Sequence, residues 1–265
     1  MTTIPQRIGN FTSSEIYKLL ATGKQQLGFG VGAMTYIRLT NYERIMGRSV
    51  DTESNPRQFS FGKLMEEIVF ETKLGTDYTL TSEWTDMHPT IDYWAGSKDG
   101  ARVDGDKILA IVEQKNPLSM NGFMDYYIPI YAGKTGLDVM IAYRDGFTFK
   151  KDGVDFDVPP LKAGIQLYWQ CVSNGIINSC DEFEFIFHMP EQKELAEIIQ
   201  HPLVNGNPTY NWMKYALDEE LPYLPENCGI PSLNKVCFTL PAEDKELLTE
   251  KVLLAGKLLI PRIEK

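Results

Sequence analysis

The alternation of apolar and polar positions predicts strands and helices in mixed order along the chain. Residues 107–115, KILAIVEQK, are apolar on both faces until the last three positions. A strand of this kind belongs in the interior of a sheet that is covered on both sides. Residues 91–102 predict a preceding strand, and Asp104-Gly105-Asp106 between the two favours a tight hairpin turn.

The other elements follow from helical and strand periodicity. Thr12 to Glu15 has the S/T-x-x-E pattern of a capping box, which predicts a helix from there to about residue 21. Further helices are predicted at 34–46, 60–74, 160–174, 191–200 and 243–259, and further strands at 182–189 and 235–240. This order predicts an α/β fold. The proline-rich stretch 205–231 predicts an ordered, irregular appendage.

Composition and charge narrow the class of protein. The 265 residues are 43% hydrophobic and 23% charged, as in folded globular proteins. The net charge of -10 is unusual for a nucleic-acid binder, but residues 1–50 carry six basic and two acidic side chains, which predicts a basic face. No apolar run suggests a signal peptide or a membrane span, so we expect a cytoplasmic protein with no membrane contact.

Two carboxylates and a lysine are predicted to meet on the hairpin. A three-residue loop would place Asp99 opposite Ile111 and diagonal to Glu113, roughly 7–8 Å away at Cα. Glu113 and Lys115 share that face because they are two residues apart. Carboxylates suit a hard divalent cation such as Mg²⁺ or Mn²⁺, and the lysine can orient a water for attack on phosphorus. The alternative is a turn aspartate beside an exposed ion pair.

The sequence lacks the motifs of other common catalytic chemistries. The three histidines form neither an HxH nor an HExxH pattern, and there is no GxSxG, Walker A or GxGxxG segment. The four cysteines stand in two pairs with eight residues between the members, which fits no common zinc, cluster or redox spacing. The remaining candidate residues, two carboxylates and a lysine, support phosphodiester hydrolysis.

These residues resemble the core of the PD-(D/E)xK nuclease superfamily. Asp99, followed by Glu113-Gln114-Lys115, matches the Asp…Glu-x-Lys pattern, with Lys98 in place of the usual proline. Gly62-Lys-Leu-Met-Glu66 resembles the G-x-x-x-E of the lambda-exonuclease and YqaJ-like viral recombinase branch. The adjacent Glu67 is the alternative to Glu66, and the glycine spacing favours Glu66. The resemblance implies a restriction-endonuclease-like core, a mixed central β-sheet flanked by helices.

Two further segments extend the resemblance to this branch. Residues 7–14, RIGNFTSS, are similar to its R-x-G-x-x-T-A-S segment, which implies that Arg7, Thr12 and Ser14 hold the 5′-phosphate of a DNA end. Ser14 would then lie in the first turn of a helix, where anions are favoured. Residues 164–169, GIQLYW, are similar to the branch's glutamine-containing helix, which implies a catalytic role for Gln166.

The resemblance implies a mechanism, a substrate and an assembly for this protein. The metal would be held by Asp99, Glu113, Glu66 and the Gln114 carbonyl. Lys115 would orient the water. The protein would be an exonuclease that degrades linear double-stranded DNA from 5′ to 3′ in phage-type recombination, in a bacterial cytoplasm. A ring-shaped homotrimer and a single-strand annealing partner are implied as well. The alternatives are another nuclease of the superfamily, either an endonuclease or a single-strand-specific enzyme, and a non-catalytic DNA-binding module.

We expect the whole chain, 1–265, to form a single nuclease domain. Its expected parts are a basic helical section at 1–50, a catalytic core at 58–190 and a C-terminal extension at 191–265.

Overall fold

The computed structural model describes residues 5–50, 56–217 and 220–262. Its α-helices are α1 (Val31–Met46), α2 (Pro56–Thr72), α3 (Met120–Tyr131), α4 (Leu137–Asp145), α5 (Gly164–Asn178), α6 (Gln192–Ile199), α7 (Pro202–Gly206) and α8 (Ala242–Gly256). Its strands are β1 (Phe11–Thr12), β2 (Tyr78–Leu80), β3 (Asp86–Met87), β4 (Trp94–Gly96), β5 (Gly100–Asp104), β6 (Lys107–Lys115), β7 (Phe147–Lys151), β8 (Val154–Val158), β9 (Glu182–His188) and β10 (Leu233–Thr239).

A five-stranded mixed sheet forms the centre of the fold, in the order β10-β9-β6-β5-β2. Strands β6 and β9 are parallel, and the other neighbours are antiparallel. On one face, the phenylalanines of β9 pack with α5 in the largest hydrophobic cluster. On the other face, Val112 and Ile186 pack against Phe70 of α2. Strand β6 is therefore central and covered on both faces, and the predicted α/β architecture is confirmed.

The hairpin that carries the predicted site differs from the expected register. Asp104 pairs with Lys107, so the turn has two residues instead of three. An irregularity between Arg102 and Val103 shifts the pairing once more, and Gly100 lies opposite Val112. Asp99 therefore precedes β5 at a position opposite Glu113, not Ile111. The predicted strand 91–102 is also divided, because β4 belongs to a separate three-stranded sheet, β1-β4-β3.

The predicted capping box at Thr12 is wrong. Thr12 lies in β1 and pairs with Ala95 of β4, and its backbone N–H donates to the hydroxyl of Tyr36 at 2.8 Å. The helix that follows is a short 3-10 helix, Ile16–Leu20, and the side chain of its N-cap residue Glu15 makes no capping hydrogen bond in the described structure. Pairing with β4 thus replaces the predicted first helical turn.

The C-terminal part of the chain is packed onto α2. Side chains of α2 form one buried cluster with residues that follow β9, including described residues of the stretch 205–231. The cluster contains Phe61, Leu64, Met65, Ile68, Leu195, Ile198, Val204, Tyr210, Met213 and Leu221. Helix α2, which carries Glu66, is therefore held between the central sheet and the C-terminal extension.

Helix α5 lies very close to α4. A Cβ atom on Gly164 would stand 1.8 Å from the carbonyl oxygen of Tyr143, so only glycine allows the backbones to approach this closely. Helix α5 starts at this contact, four residues later than the sequence predicts. No helix in the described ranges is both long and apolar enough to cross a membrane.

Candidate active site

Asp99 is held at the end of the hairpin by the backbone of the neighbouring strand. Its Oδ2 atom accepts a hydrogen bond from the backbone N–H of Gln114 at 2.7 Å. Lys98, which stands in place of the superfamily's proline, pairs with Asp86 and donates to Asn178 at 2.8 Å. Since Lys98 has its own partners, its substitution for proline leaves Asp99 in place beside β6.

Glu113 and Lys115 extend from the same face of β6 and contact each other. Lys115 Nζ lies 2.5 Å from Glu113 Oε1 and 3.8 Å from Asp99 Oδ2. Glu113 is fully buried, whereas the Lys115 side chain is 35% exposed. The structure thus brings these three predicted residues together, with the lysine facing solvent and the glutamate beneath it.

Glu66 approaches this group from α2. Its pKa responds to the charges of Asp99, Lys115 and Glu113, and the Ser82 hydroxyl lowers this pKa. Glu67, the alternative at the sequence level, instead lies beside Tyr210 and perturbs the pKa of that phenol. Glu66 is therefore the acidic residue of α2 that faces the site.

The carboxylates are held in an environment that disfavours their charge. Burial, followed by the charge of Asp99, raises the pKa of Glu66 to about 8. The same two causes raise the pKa of Glu113 to about 7, against the opposing effect of Lys115. Burial alone would lower the pKa of Lys115, but Glu113 and Asp99 outweigh it and raise that pKa above its usual range. Lys115 therefore stays positively charged. Its single charge does not compensate the negative charges of the neighbouring carboxylates.

The donor set fits a hard divalent cation. Glu66 Oε1 and Glu113 Oε2 are buried oxygens without a hydrogen-bond partner among the residues that the structure describes. Buried acceptors of this kind are rare and call for a counter-group. Within the described ranges, no three acidic, histidine or cysteine side chains lie in the arrangement of a metal-ligand set. Two of the carboxylates, Asp99 and Glu113, contact Lys115. Asp99, Glu113, Glu66 and the Gln114 carbonyl would supply oxygen ligands of the type that Mg²⁺ and Mn²⁺ prefer.

Gln170, which the sequence analysis missed, contacts the site where Gln166 was expected. Its Nε2 donates to Glu113 Oε1 at 2.7 Å. Gln166 makes no hydrogen bond with the site residues in the described part of the chain, so the structure does not bring this predicted residue into contact with the carboxylates. The two glutamines are one helical turn apart on α5, and this i, i+4 spacing could have identified Gln170 as a second candidate.

The three residues predicted to hold a 5′-phosphate lie together. Arg7 Nη2 donates to Ser14 Oγ at 3.2 Å, and the hydroxyls of Thr12 and Ser14 are 3.5 Å apart. All three side chains are partly exposed. Contrary to the prediction, Ser14 does not lie in the first turn of an α-helix. Any anion here would therefore be held by the guanidinium and hydroxyl groups.

No protein-family model matches the chain, and no curated protein is detectably similar to it in sequence. The fold is similar to that of an alkaline exonuclease (LHK-Exo) from Laribacter hongkongensis, with a TM-score of 0.51 and 13% identity over 95% of this chain and 89% of that one. LHK-Exo in complex with dAMP gives a TM-score of 0.52 and 14% identity, over 96% and 90% of the two chains.

A phage-related exonuclease from Haemophilus somnus 129PT is similar with a TM-score of 0.56 and 14% identity, over 94% of this chain and 92% of that one. At such identities the likeness is one of fold, and it confirms the resemblance that the motifs predicted. This chain has the fold of phage-type alkaline exonucleases.

Proposed function

We propose that this protein is a metal-dependent exodeoxyribonuclease that degrades linear double-stranded DNA from its 5′ end. The observation that carries the proposal is the contact of Lys115 with both Glu113 and Asp99, at 2.5 and 3.8 Å, on a strand of an exonuclease fold. Glu66, whose buried Oε1 has no hydrogen-bond partner in the described part of the chain, stands beside them. Together they provide oxygen ligands for Mg²⁺ or Mn²⁺ and a fixed cation.

The side chains of the site have separate tasks in this reaction. Lys115 stays protonated, so it donates hydrogen bonds to a water and offsets negative charge at the phosphate, but it does not act as the base. Gln170 and Lys115 together fix one oxygen of Glu113, and the Gln114 N–H fixes one oxygen of Asp99. When bound at these carboxylates, Mg²⁺ or Mn²⁺ supplies Lewis-acid activation of water and of the phosphoryl oxygens.

The test is the Mg²⁺-dependent release of mononucleotides from linear duplex DNA. We expect 5′-phosphorylated linear duplex to be digested, closed circular duplex to survive, and EDTA to stop the reaction. Digestion of circles would favour an endonuclease, and preference for single strands would favour a different nuclease of the superfamily. Binding without cleavage in the presence of Mg²⁺ or Mn²⁺ would indicate a non-catalytic DNA-binding module.

Replacing Arg7 with alanine should weaken the preference for a phosphorylated end. Arg7 donates to Ser14 and lies with Thr12 in a partly exposed cluster that suits an anion. We expect wild type to digest 5′-phosphorylated ends about 10-fold faster than 5′-hydroxyl ends, and Arg7→Ala to lose most of this ratio. Lys24→Ala, an exposed basic residue of the same segment, is the control. Equal rates of wild type on the two ends would remove the basis for this assignment.

The family resemblance supports further parts of the proposal. It suggests a single nuclease domain over 1–265, a ring-shaped homotrimer around the duplex, a single-strand annealing protein as partner and a role in phage-type recombination in the bacterial cytoplasm. The six basic residues in 1–50 would offset the net negative charge, and DNA binding should weaken steeply with salt.

A further inference from the structure

The turn that connects β2 to β3 carries an exposed tryptophan. The side chain of Trp84 is 73% exposed. In the described parts of the chain, its indole makes no hydrogen bond, ring contact or cation–π contact. Trp94 and Trp212 differ, because their indole N–H groups donate to Ser173 and Ser60. The fold thus uses these two as structural residues and leaves most of Trp84 exposed to solvent in the described structure.

The turn is fixed at both ends to the segment that precedes β5. The backbone N–H of Thr81 donates to the carbonyl oxygen of Asp99 at 2.9 Å. At the other end, the hydroxyl of Thr85 is 3.0 Å from that of Ser97. Between them, the N–H of Trp84 donates to the Thr81 carbonyl at 2.9 Å. The position of Trp84 is therefore determined by the same backbone that holds Asp99.

The turn also contacts the helix that brings Glu66 to the site. Glu83 forms a 2.9 Å ion pair with Lys63, which lies one turn before Glu66 on α2. Trp84 follows Glu83 directly. The exposed indole thus lies on a turn that is joined to the helix of Glu66 and to the backbone of Asp99.

We infer that Trp84 stacks on a nucleobase of the DNA strand whose phosphate lies at the carboxylates, and that it is a substrate-positioning residue. The inference rests on the proposed function. Every nucleobase has a π-face, so stacking needs no particular sequence. Because the turn is already fixed by hydrogen bonds, little conformational freedom is lost when a base binds.

The kinetic test compares Trp84→Ala, Trp84→Phe and the wild type on a 5′-phosphorylated linear duplex. Loss of one stacked base should raise KM by about 5- to 100-fold, with kcat within about twofold. Trp84→Phe should restore most of the affinity. Tyr215→Ala, which removes a 79% exposed aromatic ring from the C-terminal extension, should leave KM unchanged. An unchanged KM in Trp84→Ala, or a loss in kcat alone, would overturn the inference.

A binding test in EDTA separates this inference from the proposed function. Duplex DNA should quench tryptophan fluorescence in the wild type but not in Trp84→Phe. A duplex whose three terminal nucleotides at each 5′-phosphorylated end are abasic should bind wild type about 10-fold more weakly than the natural duplex, and Trp84→Ala should bind the two alike. Equal penalties in both proteins would contradict stacking, whether or not the protein hydrolyses DNA. Quenching without hydrolysis would instead contradict the proposed function alone.

Discussion

Replacing Lys115 with alanine is expected to lower kcat by about 10³-fold or more while the protein stays folded. The ammonium group lies 2.5 Å from Glu113 and 3.8 Å from Asp99, and its raised pKa keeps it charged at all working pH values. Its removal takes away the one side-chain cation seen in contact with these carboxylates in the described structure. The initial rate of nucleotide release at saturating Mg²⁺ measures the effect.

Asp99→Asn should produce a loss of similar size for a different reason. Asparagine keeps an oxygen that can accept from the Gln114 N–H, so the end of the hairpin retains its hydrogen bond. It removes the negative charge, which weakens the attraction for a divalent cation. Activity should fall with little change in the free energy of unfolding.

Matched controls lie on the same hairpin. Lys107 and Asp104 are exposed residues that flank its two-residue turn. Lys107→Ala and Asp104→Asn therefore change the same residue types on the same strands without reaching the carboxylates. If Lys115→Ala or Asp99→Asn retained the rate of its control, these residues would not form the active site.

The grouping of Glu113 and Lys115 beside Asp99 was predictable because it depends on a strand whose pattern is unambiguous. Residues 107–115 form β6 as predicted, since only an interior strand explains apolar residues on both faces. The side of the sheet that Glu113 and Lys115 share follows from the two-residue period alone. The register of Asp99 did not follow, because one residue fewer in the turn and the register shift between Arg102 and Val103 are local geometry that the composition of the loop does not specify.

Tertiary contacts account for the other differences. The segment from Thr12 to Glu15 has the sequence pattern of a helix cap. Pairing of Thr12 with β4 and its hydrogen bond to Tyr36, 24 residues away, favour an extended backbone instead. Helix α3 was not predicted, and it contains Pro129 near its C-terminal end. Gln170 rather than Gln166 reaches Glu113 because packing sets the position of α5 along its axis, which periodicity does not resolve to one turn.

The metal-free protein should lose stability as the pH rises from about 5 to about 8. The pKa values of Glu66 and Glu113 are raised to about 8 and about 7, whereas unfolded glutamates titrate near 4.5. Between these values the folded protein holds protons that the unfolded chain has released, so the free energy of unfolding falls with pH. The raised pKa values correspond to a loss on the order of 5 kcal/mol, which is about 10 °C or more in Tm.

A divalent cation should reverse this loss, because it replaces the missing protons at the same oxygens. Thermal unfolding in EDTA and in Mg²⁺ at pH 5.5 and 8.5 measures both effects, and Mg²⁺ should raise Tm mainly at the higher pH. Glu66→Gln should flatten the dependence of Tm on pH in EDTA, whereas Glu67→Gln, which changes the neighbouring carboxylate outside the site, should leave it intact. If Tm in EDTA rose with pH, or if Mg²⁺ stabilised wild type and Asp99→Asn equally at pH 8.5, these carboxylates would not form the metal site.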